Sequence, residues 1–136
     1  MEQVLIEPGT DGLGAMVGEL VKANLASHPA RAALLSGPVG SVVIDATDVG
    51  AKVGLVFTGK TLRVGAPLPR PDLAIACDAA TLMELTAVPL RFGLPDPLDP
   101  KGRTIVGKLA RRQLKVRGMV PHLALMIRLQ KLLSVA

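Results

Sequence analysis

The near absence of aromatic side chains narrows the fold most. The 136 residues hold two phenylalanines, Phe57 and Phe92, and no tryptophan or tyrosine. Aromatic rings supply much of the buried area of ordinary cores, so this interior must be built from Leu, Val, Ile, Met and Ala. Those residues are plentiful: hydrophobic residues make up 49% of the chain and charged residues 20%. The balance excludes a disordered or collagen-like chain, and the length suits a single domain over residues 1–136 with a real core. Lack of rings also removes single-strand nucleic-acid readers, which stack bases on aromatic side chains, and any chemistry that needs a tyrosine.

Cysteine usage and charge bound the setting. Cys77 has no second cysteine to pair with, which fits a reducing, cytoplasmic compartment. The start, MEQVLIEPG, lacks the basic residues and apolar run of a signal peptide. The apolar tail from Met119 to Ala136 is interrupted by His122, Arg128, Gln130 and Lys131, so it falls short of the about 20 apolar residues of a membrane span. Residues 1–100 carry 7 basic and 11 acidic side chains, a net of −4, whereas residues 101–136 carry 9 basic side chains and no acid. This last third either forms a solvated face or meets phosphates, anionic lipid or an acidic partner.

Periodicity divides the chain. Leu13, Met16, Val17, Leu20, Val21 and Leu25 repeat at helical spacing, with Asp11 as N-cap and Pro29 closing the helix near Ser27. Ser41–Ala46, Val53–Phe57 and Thr61–Val64 read as strands, the last two joined at Gly59-Lys60 by a hairpin. Pro67, Pro69 and Pro71 bar any ladder in the next connection. Leu73, Ile75 and Cys77 mark a fourth strand, and Asp78 caps a helix from Ala79 to about Val88. Residues 89–103, with four prolines and two glycines, read as an irregular loop. A helix over Thr104–Arg112 and a strand at Leu114–Arg117 follow. A last helix starts at Pro121 and carries two apolar stripes, Leu123/Met126/Ile127 and Leu125/Leu129/Leu132/Leu133, wider than one core-facing stripe requires. Residues 1–10 read either as a short edge strand or as a loose tail.

Motif matches fail on context. Gly54-Leu-Val-Phe-Thr-Gly59-Lys60-Thr61 satisfies the P-loop pattern, but a phosphate-binding loop must be followed by a helix, and LRVGAPLPRP cannot be one. Gly9, Gly12 and Gly14 with Asp45 lack dinucleotide-binding spacing. His28, His122 and Cys77 offer no zinc-ligand spacing, and no serine has a readable His and acid for a triad. The expectation is a protein without metal, cofactor or catalytic residues.

The second half carries a resemblance. PDLAIACDAATLMEL (71–85), a Pro-rich loop, and GKLARRQLKVRGMVPHLALMIRLQKLLSV (107–135) resemble the sterol carrier protein type 2 family. There a strand reading roughly pDvtit-d precedes a helix with leucines spaced like Leu82 and Leu85. A G-K/R-L-x-V/I-x-G strand, here represented by Gln113–Gly118, precedes an apolar C-terminal helix. PLRFGLPDPLDPKGR and LLSV resemble a bacterial branch with a lengthened loop. The resemblance spans about residues 12–134. It implies an α/β (α+β) fold: a five-stranded, mainly antiparallel sheet covered by helices and enclosing an apolar tunnel. It also implies non-catalytic binding or transfer of sterols, fatty acids or fatty acyl-CoAs.

On that reading Leu82, Leu85, Phe92, Ile105, Leu109, Met119, Leu123, Met126 and Ile127 line the tunnel. Arg103, Lys108, Arg111 and Arg112 meet a lipid carboxylate, CoA phosphates or, transiently, an anionic membrane. The alternative is a protein-interaction or regulatory domain with a filled core and no lipid. Either form is compatible with a monomer or a homodimer.

Overall fold

In a computed structural model, the alternating runs of residues 40–77 form a sheet and the helical stripes pack on one of its faces. The structure describes residues 4–7, 12–87, 90–91, 94–95, 98–111, 114–118 and 121–133; for residues 87, 90, 91, 94, 95, 106, 109 and 110 it describes the backbone alone.

In chain order the elements are β1 (Val4–Ile6), α1 (Gly12–Ser27), a 3-10 helix (Pro29–Leu35), β2 (Gly40–Ala46), β3 (Ala51–Phe57), β4 (Leu62–Gly65) and β5 (Leu73–Cys77). Then come α2 (Ala79–Ala87), β6 (Leu90–Arg91), β7 (Leu94–Pro95), α3 (Pro100–Ala110), β8 (Lys115–Arg117) and α4 (Leu123–Leu133).

The sheet corrects the five-stranded, mainly antiparallel expectation. It has six strands in the order β1-β4-β3-β2-β5-β8, and it is mixed. β2–β3, β3–β4 and β5–β8 are antiparallel, whereas β1–β4 and β2–β5 are parallel. The sixth strand comes from the segment that read as edge strand or tail: Val4, Leu5 and Ile6 pair with Leu62, Arg63 and Val64, and the Glu7 amide extends the ladder to the Val64 carbonyl at 2.8 Å.

The parallel β2–β5 pair follows from the proline segment. Pro67, Pro69 and Pro71 lack ladder donors, so residues 66–72 cross the sheet instead of turning back beside β4. Gly54 in β3 makes room for this crossing, because a Cβ there would run into the Ala66 carbonyl and Pro67. The P-loop-like stretch is the β3–β4 hairpin. Gly59 turns it at φ +103°, and the Thr58 amide donates to the Thr61 carbonyl at 3.0 Å.

Alternate side chains of the central strands enter one core. Val42 and Ile44, Val53, Leu55 and Phe57, Leu62 and Val64, and Leu73, Ile75 and Cys77 are all buried. From α1, Val17, Val21 and Leu25 join them, whereas Leu13 and Leu20 are half-buried and Met16 is exposed. Gly14, Gly18 and Asn24 complete the buried face of α1, shifting it from the expected stripe.

Two helix starts are set by aspartates. The Asp78 carboxylate accepts from the Thr81 amide at 2.7 Å and opens α2 as expected. The Asp99 carboxylate accepts from the Lys101 amide at 2.9 Å, so α3 begins at Pro100 rather than Thr104. The stretch read as wholly irregular thus contains the first turn of α3 and the short β6–β7 pair.

Candidate functional site

Three helices and the sheet meet in one aliphatic layer. Leu82 and Leu85, one turn apart on α2, are buried, as are Ile105 of α3 and Met126 of α4. All belong to the core cluster that includes Ile75, with Val116 of β8 packed against it. Helical spacing accounts for this: Leu82 and Leu85 on α2, Ile105 on α3 and Met126 on α4 each lie on a buried face of their helix.

The other residues expected to line a tunnel are placed differently. Ile127 is half-buried, and Leu123 is 44% exposed at the start of α4. Leu109 lies on α3, where the backbone alone is described; Phe92 and Met119 lie outside the described residues. The second stripe of α4 is the fully internal one: Leu125, Leu129, Leu132 and Leu133 are all buried. Packing against α1, α2 and the 3-10 helix accounts for the breadth of this apolar surface.

Buried polar groups pin the layer. The Gln130 side-chain amide donates to the Leu85 carbonyl at 2.8 Å and ties α4 to α2. The Asn24 amide donates to the Leu132 carbonyl at 2.8 Å, satisfying an acceptor in the last turn of α4. Thr81 and Thr86 of α2 are also buried, and Thr86 donates to the Met83 carbonyl at 2.7 Å. Sequence reading missed these residues. The available signal was an amide side chain inside an apolar helical stripe, as at Gln130 among leucines.

Arg128 is a further anchor. Its Nε donates to the Leu34 carbonyl at 2.9 Å and its Nη1 to the Pro38 carbonyl at 2.8 Å, while the guanidinium stacks 4.2 Å from the Phe57 ring centroid. Partial burial lowers its pKa from the ordinary arginine value. This arginine of the basic C-terminal third thus serves packing.

The expected headgroup residues divide. Lys108 Nζ donates to Thr81 Oγ1 at 2.9 Å and to Glu84 Oε2 at 3.0 Å, bridging α3 to α2. Arg103 and Arg111 are exposed, and Arg112 lies outside the described residues. Beside this bridge, Cys77 is buried. Desolvation, reinforced by the nearby Asp78 charge, pushes its thiol up to about 11. Among the described residues no group of three or more His, Cys, Asp or Glu side chains could hold a metal ion, and no helix is long and apolar enough to cross a membrane.

No protein-family model matches the chain, and no curated protein is a significant sequence match. Solved structures do match. The UbiJ-SCP2 ubiquinone synthesis protein is 18% identical, with a TM-score of 0.57 over 90% of this chain and 96% of that one. A sterol carrier protein 2 is 16% identical, with a TM-score of 0.45 over 87% of this chain and 94% of that one. The stereoselective inverting sec-alkylsulfatase Pisa1 from Pseudomonas sp. is 18% identical, with a TM-score of 0.49 over 72% of this chain and 14% of that one. The first match gives the chain the architecture of an SCP2 domain.

Proposed function

We propose that this SCP2-type domain holds an apolar, lipid-like ligand between its sheet and α2, α3 and α4, and carries or presents it without a covalent step. The observation that supports this most is that Leu82, Leu85, Ile105 and Met126, from three helices, share one buried cluster with Ile75 of the sheet. These side chains are aliphatic, and the thioether of Met126 repacks readily. Each buried ligand CH₂ contributes about 0.8 kcal/mol. A fatty acid, fatty acyl-CoA or sterol-like molecule thus gains affinity from apolar area alone. The exposed Arg103 and Arg111, with Arg112 beside them in sequence, suit a carboxylate, CoA phosphates or an anionic membrane surface. Lys108 would join them by exchanging Glu84 for the ligand's charge. The free, buried thiol of Cys77 suits a reducing compartment such as the cytoplasm.

Met126→Glu tests the reading. Placing a carboxylate in the layer should abolish uptake of a fluorescent fatty acid, with the fold checked by circular dichroism. Undiminished uptake by the folded variant contradicts the assignment.

A second reading, a protein-interaction or regulatory domain with a filled core, is favoured by the 44% exposure of Leu123 on α4 beside a layer in which Leu82, Leu85 and Ile105 are each only 3% exposed. It predicts no uptake by the wild type and concentration-dependent association of the chain or its partner.

A further inference from the structure

The sheet face turned away from the helices carries a separate pocket. Leu73, Ile75 and Cys77 of β5 enter the core, so Ala74 lies on the opposite face, in register with Arg117 of β8. Around this pair a pocket of about 360 Å³ is lined by Pro69, Arg70, Pro71 and Asp72 from the segment entering β5, and by Gly118 at the end of β8.

Its walls are held in place. Pro69 and Pro71 fix their own φ. Asp72 Oδ2 accepts from the Ser41 amide at 3.1 Å and from Ser41 Oγ at 3.4 Å, while the Asp72 amide donates to Ser41 Oγ at 3.0 Å. Gly118 has φ +81° and lies so close to the Asp72 carbonyl that no side chain would fit there. The two cations of the pocket have a different status. Neither Arg70 nor Arg117 hydrogen-bonds or ion-pairs with another described residue, and the pocket's one acid, Asp72, is engaged by Ser41. Lys115 lies two residues before Arg117 on the same strand face, in register with Ala76. Asp45, also on that face, is in register with Lys52 and Ala76.

Solvated arginines are common on surfaces. Here two of them meet at a walled concavity. We infer that this pocket binds a phosphate monoester, with the guanidinium groups of Arg70 and Arg117 receiving the phosphate. A guanidinium presents paired N–H donors that match phosphate oxygens, and two guanidiniums match a dianion. The volume exceeds what bare phosphate fills and lies at the lower end of small-molecule sites, about 300–1,000 Å³. It therefore leaves room for a small organic body. The phosphate belongs either to a soluble ester or to a lipid headgroup. The site is on the far side of the sheet from the apolar layer, so it does not rest on the lipid-binding reading.

Nitrogen-15 NMR of the full chain tests the inference, with three titrants: sn-glycerol 3-phosphate, glycerol, and phosphatidylcholine vesicles with or without phosphatidic acid. Saturable shifts of the Ala74, Arg117 and Gly118 amides with the phosphate ester and none with glycerol support a soluble source. The same response confined to phosphatidic acid vesicles supports a headgroup. In either case Arg70→Gln and Arg117→Gln should each weaken binding about tenfold, the loss expected for a charge-assisted contact. Unchanged circular dichroism and Tm verify the fold, and Arg70, in an exposed connection, serves if Arg117→Gln fails to fold. No saturable response with any phosphate probe, or undiminished binding in both variants, overturns the inference.

Discussion

At the scale of single residues, Gly54 separates packing from propensity. Valine favours strands over glycine, so propensity alone predicts that Gly54→Val stabilises β3. The Ala66–Pro67 backbone lying over Gly54 predicts the reverse. The variant should lose about 1–3 kcal/mol in urea unfolding, the usual range for an overpacked site; a gain in stability would contradict the crossing of residues 66–72 over β3. Cys77 gives a second test. A thiol moved from 9.0 to about 11 holds roughly a hundredfold less thiolate at pH 8. Native protein should therefore react slowly with Ellman's reagent, and rapidly once urea exposes the sulfur. Because the folded-state pKa is the raised one, the stability linked to this thiol is complete below pH 9 and is lost as pH rises through about 11. An equilibrium unfolding series across that range should show the decline, and Cys77→Ala should flatten it. The burial of Cys77 was legible from its place in the Leu73-Ile75-Cys77 alternation. The packing role of Arg128 was not, because it stacks on Phe57 and bonds to Leu34 and Pro38, all far away in the sequence, the last two 94 and 90 residues distant.

At the scale of elements, caps and cross-helix hydrogen bonds decide where helices begin and which way they face. Asp99→Ala removes the acceptor for the Lys101 amide and should lower stability by about 1 kcal/mol, measured from the urea midpoint at constant slope. Asp78, held below the usual carboxylate range by its hydrogen bonds to Thr81 and by Lys108, supports α2 at neutral pH. That support is lost as pH falls through the lowered pKa. Gln130→Ala leaves the Leu85 carbonyl without its partner and should cost about 1–3 kcal/mol; an unchanged midpoint would mean that α4 is not tied to α2 there. These elements also show how far the residues could be read. Asp78 before an unbroken helical pattern was a clear cap. Asp99-Pro100 is an equally good cap and first-turn pair, but it sits among five other helix breakers, Pro89, Gly93, Pro95, Pro97 and Gly102, and reads as more loop. The helical spacing of α4 revealed both of its apolar stripes. It could not reveal which stripe the fold covers, since that depends on α1 and α2.

At the scale of the molecule, topology was the least legible feature. Val4–Ile6 is too short to show a period, and its pairing with Leu62–Val64 has no local signature. Likewise, the parallel β2–β5 pair is set by how residues 66–72 cross the sheet. Apart from the short β6–β7 pair, the order of helices and strands after residue 40 was readable, and it carried the resemblance to the sterol carrier protein type 2 family. The same whole-molecule arrangement places an aliphatic layer under α2, α3 and α4 and a doubly arginine-lined pocket on the opposite sheet face. The most direct test of lipid holding is native mass spectrometry of the purified chain after incubation with fatty acids, fatty acyl-CoAs and sterols, followed by solvent extraction and identification of what is bound. Lipid holding predicts a one-to-one complex whose extracted ligand is one of these classes, and which Met126→Glu fails to form. A clean unliganded mass across the whole panel would contradict it and leave the layer as a filled core.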